Sequence, residues 1–465
     1  MLLAVFTLLG MGGPAPSAFA QGGEVPYFEF LTARRLESQG DNQGALAALQ
    51  RATAADPTSA EVKAEIASFY LRRNQRTEAE QFAKAALAID EKNVEANRTL
   101  GFVFAAAAEN AGGRAAAQQV AAALKDSTTY LERALAGAVV PDPNVQFTLG
   151  RLYLRTGESQ KAVQVLTRAV AQSPGSVQAR LALAQAFGEV DDAKSAIGVL
   201  AEIVADEPRV AAALGQYQEQ AGLLTDAVES YTVALAVQPM SRELKFRRIA
   251  VLYNAREYRR AADFAGEARK QHPEDTRFPR LEARALFDAG DRPGAIALIE
   301  RTAAAFPKDV GLQFAQVDLY ADAGQAPAAE KVLRQILAAD PSNPNALNYL
   351  GYLLTARDDR LDEAIGLVRR AVDADPQNGA YLDSLGWAYY RKGDLDQSEK
   401  YLADAAVRLP MNSEIQDHLG DLYAKRGRLQ DAIDAWTRAL AGDRDDVDVA
   451  ALERKVQDAR RQLGR

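Results

Sequence analysis

The chain has 465 residues, too many for one compact core, so several domains or one repeat array are expected. A 48% hydrophobic, 25% charged composition fits a folded protein, and a net charge of −8 argues against a phosphate backbone as the main partner. With no cysteine, disulfides, thiolate metal centres and cysteine nucleophiles are excluded, and two histidines leave little room for a histidine-based zinc centre.

The chain begins "MLLAVFTLLGMGGPAPSAFAQ". An apolar run from Leu2 to Leu9 is followed by Gly and Pro and then by Ala18-Phe19-Ala20. This is the order of an export signal: an apolar core, then a small-residue cleavage site. No basic residue precedes the run, and the run is too short to span a bilayer. Residues 1–20 are therefore expected to be a signal peptide. The mature protein is expected to be exported, periplasmic or envelope-associated, and soluble after cleavage. A lipid anchor would need Cys where Gln21 stands. No later segment is apolar enough over a sufficient length to predict an integral membrane span.

From residue 26 onward a 34-residue period organises the chain. A small residue recurs at Ala33, Ala67, Gly101, Gly150, Ala184, Gly215, Ala250, Ala283, Gly351, Gly386 and Gly420, with Val317 the one bulky occupant. A second small residue follows 12 positions later, as at Ala45, Ala162, Ala227, Ala295 and Ala432. A proline closes most periods, as at Pro57, Pro174, Pro273, Pro341 and Pro410. Each period therefore predicts two antiparallel helices. Small residues let their backbones approach, larger apolar residues three and four positions away fill the gaps, and proline cannot continue the second helix. One pair cannot bury its own apolar face, so stacked pairs supply the core.

The spacing predicts twelve pairs: units 1–3 over 26–142 and units 4–12 over 143–446. Between Phe104 and Ser127 an Ala-rich insertion (about 105–126) adds about 14 residues, which either lengthens both helices of the third pair or makes a loop at Gly112-Gly113. Near "DEPRVAAALG" one pair is about three residues short. Residues 447–465 carry Leu452, Val456, Ala459 and Leu463 at helical spacing, which predicts a capping helix for the end of the stack.

The period, the Leu149-Gly150-Tyr153 and Leu419-Gly420-Tyr423 groups, the central Ala and the terminal Pro resemble the tetratricopeptide repeat (TPR) family. The resemblance implies an all-α, right-handed α-solenoid of about twelve stacked helix pairs, with the first helix of each pair lining a concave groove. The stretch 345–390 is similar to long TPR proteins of the bacterial cell envelope, among them adaptors that bring substrates to a processing protease. The resemblance implies a non-catalytic scaffold or adaptor, which binds partner proteins or extended peptide segments in the groove. An envelope protease or an assembly machine is the partner it implies. The alternative is a structural component of an envelope machine for polysaccharide export or outer-membrane assembly.

No sequence motif of an enzyme, phosphate loop or metal centre is present, so no catalytic residue, cofactor or metal is expected. His272 precedes Pro273 and reads as a turn residue, and His418 lies on a helix face beside Asp417. Within "YLDSLGWAYYRKG", Leu382, Leu385, Gly386 and Tyr389 form the packing stripe. Asp383, Trp387 and Tyr390 fall about 100° round the helix and are predicted to face the groove. The same stripe carries Asn345, Asn348 and Tyr352 in the preceding pair and Glu414, Asp417 and Asp421 in the following one. Further back it turns basic, with Arg277, Arg280, Arg284 and Phe287 on one pair and Arg247 and Asn254 on its neighbour. Three arginines at helical spacing repel one another unless acids pair with them. Those acids would come either from adjacent helices or from a partner.

Overall fold

Small residues set 34 positions apart draw one helix of each pair against the next, and the helix order follows from that repetition. In the computed structural model residues 24–110, 116–444 and 447–464 are described; the expected signal peptide and Gly112-Gly113 lie outside them. Among the described residues every regular element is helical. The helices divide into two compact units, split between Pro239 and Met240.

The first unit holds six pairs: α1 (Glu24–Ser38) with α2 (Asn42–Ala55), α3 (Ala60–Arg72) with α4 (Arg76–Leu87), α5 (Val94–Asn110) with α6 (Ala116–Gly137), α7 (Pro143–Thr156) with α8 (Ser159–Gln172), α9 (Val177–Glu189) with α10 (Ala193–Ala201), and α11 (Ala211–Gln220) with α12 (Leu224–Val237). The Ala-rich insertion lies inside this unit, where α5 and α6 run to 17 and 22 residues. The short repeat appears as a 9-residue α10 followed by a 3₁₀ turn at Pro208–Val210.

The second unit holds the other six: α13 (Arg242–Asn254) with α14 (Tyr258–Gln271), α15 (Arg277–Asp288) with α16 (Arg292–Ala305), α17 (Val310–Asp322) with α18 (Ala326–Ala339), α19 (Pro344–Ala356) with α20 (Leu361–Ala374), α21 (Gly379–Lys392) with α22 (Leu395–Arg408), and α23 (Ser413–Lys425) with α24 (Leu429–Ala441). One further helix, α25 (Val449–Gln462), lies against α24, burying Leu452, Val456 and Ala459 beside Trp436. A terminal pair has no next repeat to cover it, and α25 supplies the missing face.

The α21–α22 pair shows how sequence makes a unit. Asn378 caps α21, accepting from the backbone N–H groups of Ala380 and Tyr381, an arrangement worth about 1 kcal/mol. Gly393 ends the helix at φ 91°, where a side chain would strain the backbone. Between them, a Cβ on Gly386 would stand 2.9 Å from the Leu402 backbone nitrogen, so only glycine permits this approach. Leu402 is fully buried there, which contributes about 1.5–3 kcal/mol.

The small-residue register departs from the expected one at α13. Ala250 is exposed, and Ile249, at 1% exposure, takes the buried place 34 residues from both Gly215 and Ala283. An isoleucine occupies it because Ala265 and Ala268 of α14 leave the room.

Within each unit the first helices of successive pairs touch: α3–α5–α7–α9 in the first, and α13–α15–α17 and α19–α21–α23 in the second. Among the described residues no two second helices approach so closely. The closely spaced row is the inner side of each stack.

Candidate functional site

Two positions of each period look out from this inner row: the residue three before the small one and the residue one after it. The frame does not need them, so what occupies them is informative. In the second unit the position three before carries Phe246, Arg280, Phe314, Asn348, Asp383 and Asp417. The position one after carries Arg284, Asp318, Tyr352, Trp387 and Asp421.

At α13, α15 and α17 these side chains enclose a cavity of about 550 Å³. Phe246, Leu281, Phe314 and Leu319 supply apolar wall, and Arg277, Arg280, Arg284 and Asp318 supply charge. That size falls within the range of pockets that take a small ligand or a few side chains. The first unit repeats the design. Phe147 and Leu181, again three before the small residue, join Arg151, Arg155 and Gln185 around about 600 Å³.

The arginines are not equivalent. Arg277 pairs with Asp275 at 2.7 Å and lies over the Phe246 ring at 4.3 Å. The Asp275 carboxylate holds the Arg277 guanidinium above its ordinary pKa. Arg284 is bound on two sides, by Asp288 at 2.9 Å and by Asp322. Arg247 pairs with Glu243 at 3.1 Å on its own helix, away from the cavity. Arg280 differs: no hydrogen bond or ion pair to it is found among the described residues, and its buried Nε has no acceptor. The nearby Asp309 caps α17, accepting from Leu312 N–H at 3.1 Å and from the Thr276 hydroxyl. Acids on the same helix, in the preceding turn and, for Arg284, on the next first helix thus pair with three of the four predicted arginines and leave the fourth. Phe287, predicted for the same stripe, is 6% exposed and packs on Leu298 and Ile299, inside the core.

Toward α25 the row closes on itself. Asp383 is buried, and its carboxylate meets His418 Nδ1 at 3.0 Å. The His418 ring stacks on Trp387 at 3.9 Å, and Trp387 on Tyr390 at 4.6 Å. Lys425 lies 4.3 Å above Tyr390. Asp417 and Asp421 share Lys455 of α25, each at 2.7 Å, and Asp421 also accepts from Trp436 Nε1. Asn345 is exposed and accepts from the Tyr381 hydroxyl at 2.6 Å; the Tyr352 hydroxyl reaches Glu414, two pairs on, at 2.9 Å. Asn348 is half-buried with an unpartnered Oδ1. The predicted aromatic and acidic residues are brought together, but largely in contact with one another.

Sequence reasoning did not pick out Phe246, Phe314 or Lys455. The period itself was the available signal for the first two, since both stand 34 residues from Arg280. Among the described residues no group of three or more acidic or histidine side chains is placed to hold a metal ion, and no helix is long and apolar enough to cross a membrane.

Sequence profiles described as tetratricopeptide repeat match 36–96, 143–186, 246–310, 314–379 and 384–447, more than half of the chain. The chain belongs to the tetratricopeptide repeat family. It is similar to a TPR repeat-containing protein of Pseudomonas aeruginosa, 34% identical over 178 residues, covering 38% of this chain and 30% of that protein. It is also similar to the BBSome complex member bbs-4 of Caenorhabditis elegans, 27% identical over 136 residues and 29% of each chain. The chain thus spans under a third of the length of either relative. Among solved structures it is similar to yeast Tom70, at 11% identity and a TM-score of 0.47, covering 94% of this chain and 96% of that one.

Proposed function

We propose that the protein is a non-catalytic scaffold of the bacterial cell envelope, which holds extended segments of partner proteins along the inner row of first helices. One observation carries the reading. The repeat positions that the frame leaves open hold large aromatic and charged side chains, and in the second unit they enclose the cavity between α13, α15 and α17. A mere spacer would have no use for Phe246, Arg280 and Phe314 there. Extended segments suit such a row, because side-chain pockets spaced along a groove select residues while polar groups between them meet the backbone. Asn345, Asn348, Tyr352, Trp387, Tyr390 and the acidic pair Asp417 and Asp421 extend the same face toward α25. The leader-like residues 1–20 support export, and similarity to envelope adaptors over 345–390 supports a role in presenting proteins to an envelope enzyme.

The test compares partners captured from envelope extract by wild type, by the inner-row variants Arg280→Glu and Asn345→Arg, and by the second-helix variant Val407→Arg. Val407 is 78% exposed on α22. The expected result is loss of partners in the inner-row variants and retention in Val407→Arg, with helicity unchanged in all. Equal capture by all four would refute the inner-row reading.

A further inference from the structure

We infer that Arg280 is the anchor for an internal Asp or Glu side chain of a partner segment, whose neighbouring apolar residue fills the cavity between Phe246 and Phe314. This rests on the scaffold reading above and names the chemistry of what the scaffold takes.

Four observations lead to it. First, Arg280 alone among the cavity's arginines lacks a partner, while Arg277 and Arg284 are held by Asp275, Asp288 and Asp322. The Arg280 Nε is buried with no acceptor, an unmet hydrogen bond at the edge of an apolar cavity, and a carboxylate satisfies it with a charge-assisted, two-pronged hydrogen bond. Second, Asp309, whose carboxylate feels the charge of Arg280, makes no hydrogen bond to it and is already committed: it caps α17 and takes the Thr276 hydroxyl. Third, the site has room made for the cation. A Cβ on Gly311 would lie 2.6 Å from a terminal nitrogen of Arg280, so glycine there lets the guanidinium rest on the α17 backbone. Fourth, the remaining wall is apolar, with Phe246, Leu281 and Phe314 flanking the charge.

The acid is a side chain rather than a chain end because first helices continue past Arg280: Tyr349 of α19 hydrogen-bonds Asp318 of α17, and α19, α21 and α23 touch in turn. A segment lying along it continues beyond the anchor. Packed first helices stand about 10 Å apart, so each step along the row takes about three residues of extended chain. An acid at Arg280 and an aromatic or branched residue at Phe314 are thus within about three residues of each other in the partner. Asp318, on the opposite wall, carries a hydrogen bond from Tyr349 and disfavours a second acid at that end. The preferred segment therefore has one acid, not a run of them.

The probe is an array of hexapeptides acetylated and amidated at their ends, beside a matched set with free C-terminal carboxylates, screened with the full chain. Wild type is expected to select peptides with an internal Asp or Glu within about three residues of Phe, Tyr, Leu or Ile. Arg280→Gln is expected to weaken those peptides by about tenfold or more and to erase the preference for Glu over Gln, while peptides chosen for their aromatic residue alone bind as before. Gly311→Ala, which keeps the charge but displaces it, is expected to do the same in part, and serves if Arg280→Gln misfolds. The inference is overturned if wild type shows no preference for Glu over Gln, if the preference survives Arg280→Gln, or if only peptides with a free terminal carboxylate bind. In each of those cases, partners captured through the inner row would leave the scaffold reading standing; capture unaffected by inner-row variants would remove that reading as well.

Discussion

His418 of α23 sets its Nδ1 3.0 Å from the Asp383 carboxylate of α21, and the Trp387 ring covers the imidazole at 3.9 Å. Both partners are buried, so this is an ion pair inside the stack, joining two consecutive first helices. Burial alone would discharge the histidine. The charge of Asp383 and its hydrogen bond, with smaller contributions from Glu414 and Asp417, outweigh that and hold the His418 pKa above its ordinary value.

A pH dependence of stability is the consequence. A histidine whose pKa is raised on folding contributes stability that is complete below its unfolded value, roughly 6.5, and is lost as pH rises through the folded value. The denaturant midpoint of the second unit is expected to fall between pH 6 and pH 9. In His418→Gln that fall is expected to disappear. A midpoint rising with pH in wild type, or an unchanged slope in the variant, would count against the pair as drawn.

Removing one partner should hurt more than removing both. Asp383→Ala removes the counter-charge, so the buried His418 must discharge and lose its hydrogen bond, at an expected cost of about 3–5 kcal/mol in equilibrium unfolding below pH 6.5. Asp383→Leu combined with His418→Leu exchanges the pair for apolar contact and should cost much less than the sum of the two single changes.

The glycines separate into two kinds, and alanine substitution should show opposite signs. A Cβ on Gly420 would come within 2.4 Å of the Trp436 ring, so Gly420→Ala is expected to destabilise by about 1–3 kcal/mol. Gly366, inside α20, has nothing within 4 Å of its Cβ position. Gly366→Ala should stabilise by about 0.5–1 kcal/mol, since glycine in a helix interior carries an entropic cost. Thermal unfolding of the two variants beside wild type reads both.

Lys455 is the counter-ion for two acids at once, at 2.7 Å from Asp417 and from Asp421. Lys455→Met retains most of the stem's packing but leaves two facing carboxylates. The pair is half-buried and partly screened, so the expected cost is about 1–2 kcal/mol, falling in high salt. A cost that does not change with salt would assign Lys455 a packing role instead.

The frame was legible because it is periodic. Small residues, turn glycines and closing prolines recur at fixed separations, and each has a steric reason that a single sequence displays. Twelve pairs and the helix after them could be read from that alone. The face was less legible for three physical reasons. At α13 Ile249 fills a place where the period predicts a small residue, and the neighbouring Ala250 shifts the apparent register by one, which points to Arg247 where Phe246 faces the cavity. Whether an arginine is paired depends on acids in other helices or turns, as with Asp322 for Arg284, and spacing within one helix does not show them. Asp383, one turn from Trp387, looked like a groove residue, yet its partner His418 lies 35 residues away on the next first helix and draws it inward.

The central claim is that partners lie on the inner row of first helices. Site-specific photo-cross-linking in cells tests it most directly, with a photoreactive phenylalanine at Phe246 and Phe314 on the row, and at Val233 and Val407 on second helices. Cross-linked partner at Phe246 and Phe314, reduced by Arg280→Gln, and none at Val233 and Val407, is the predicted result. Cross-links at the second-helix positions alone would contradict the account.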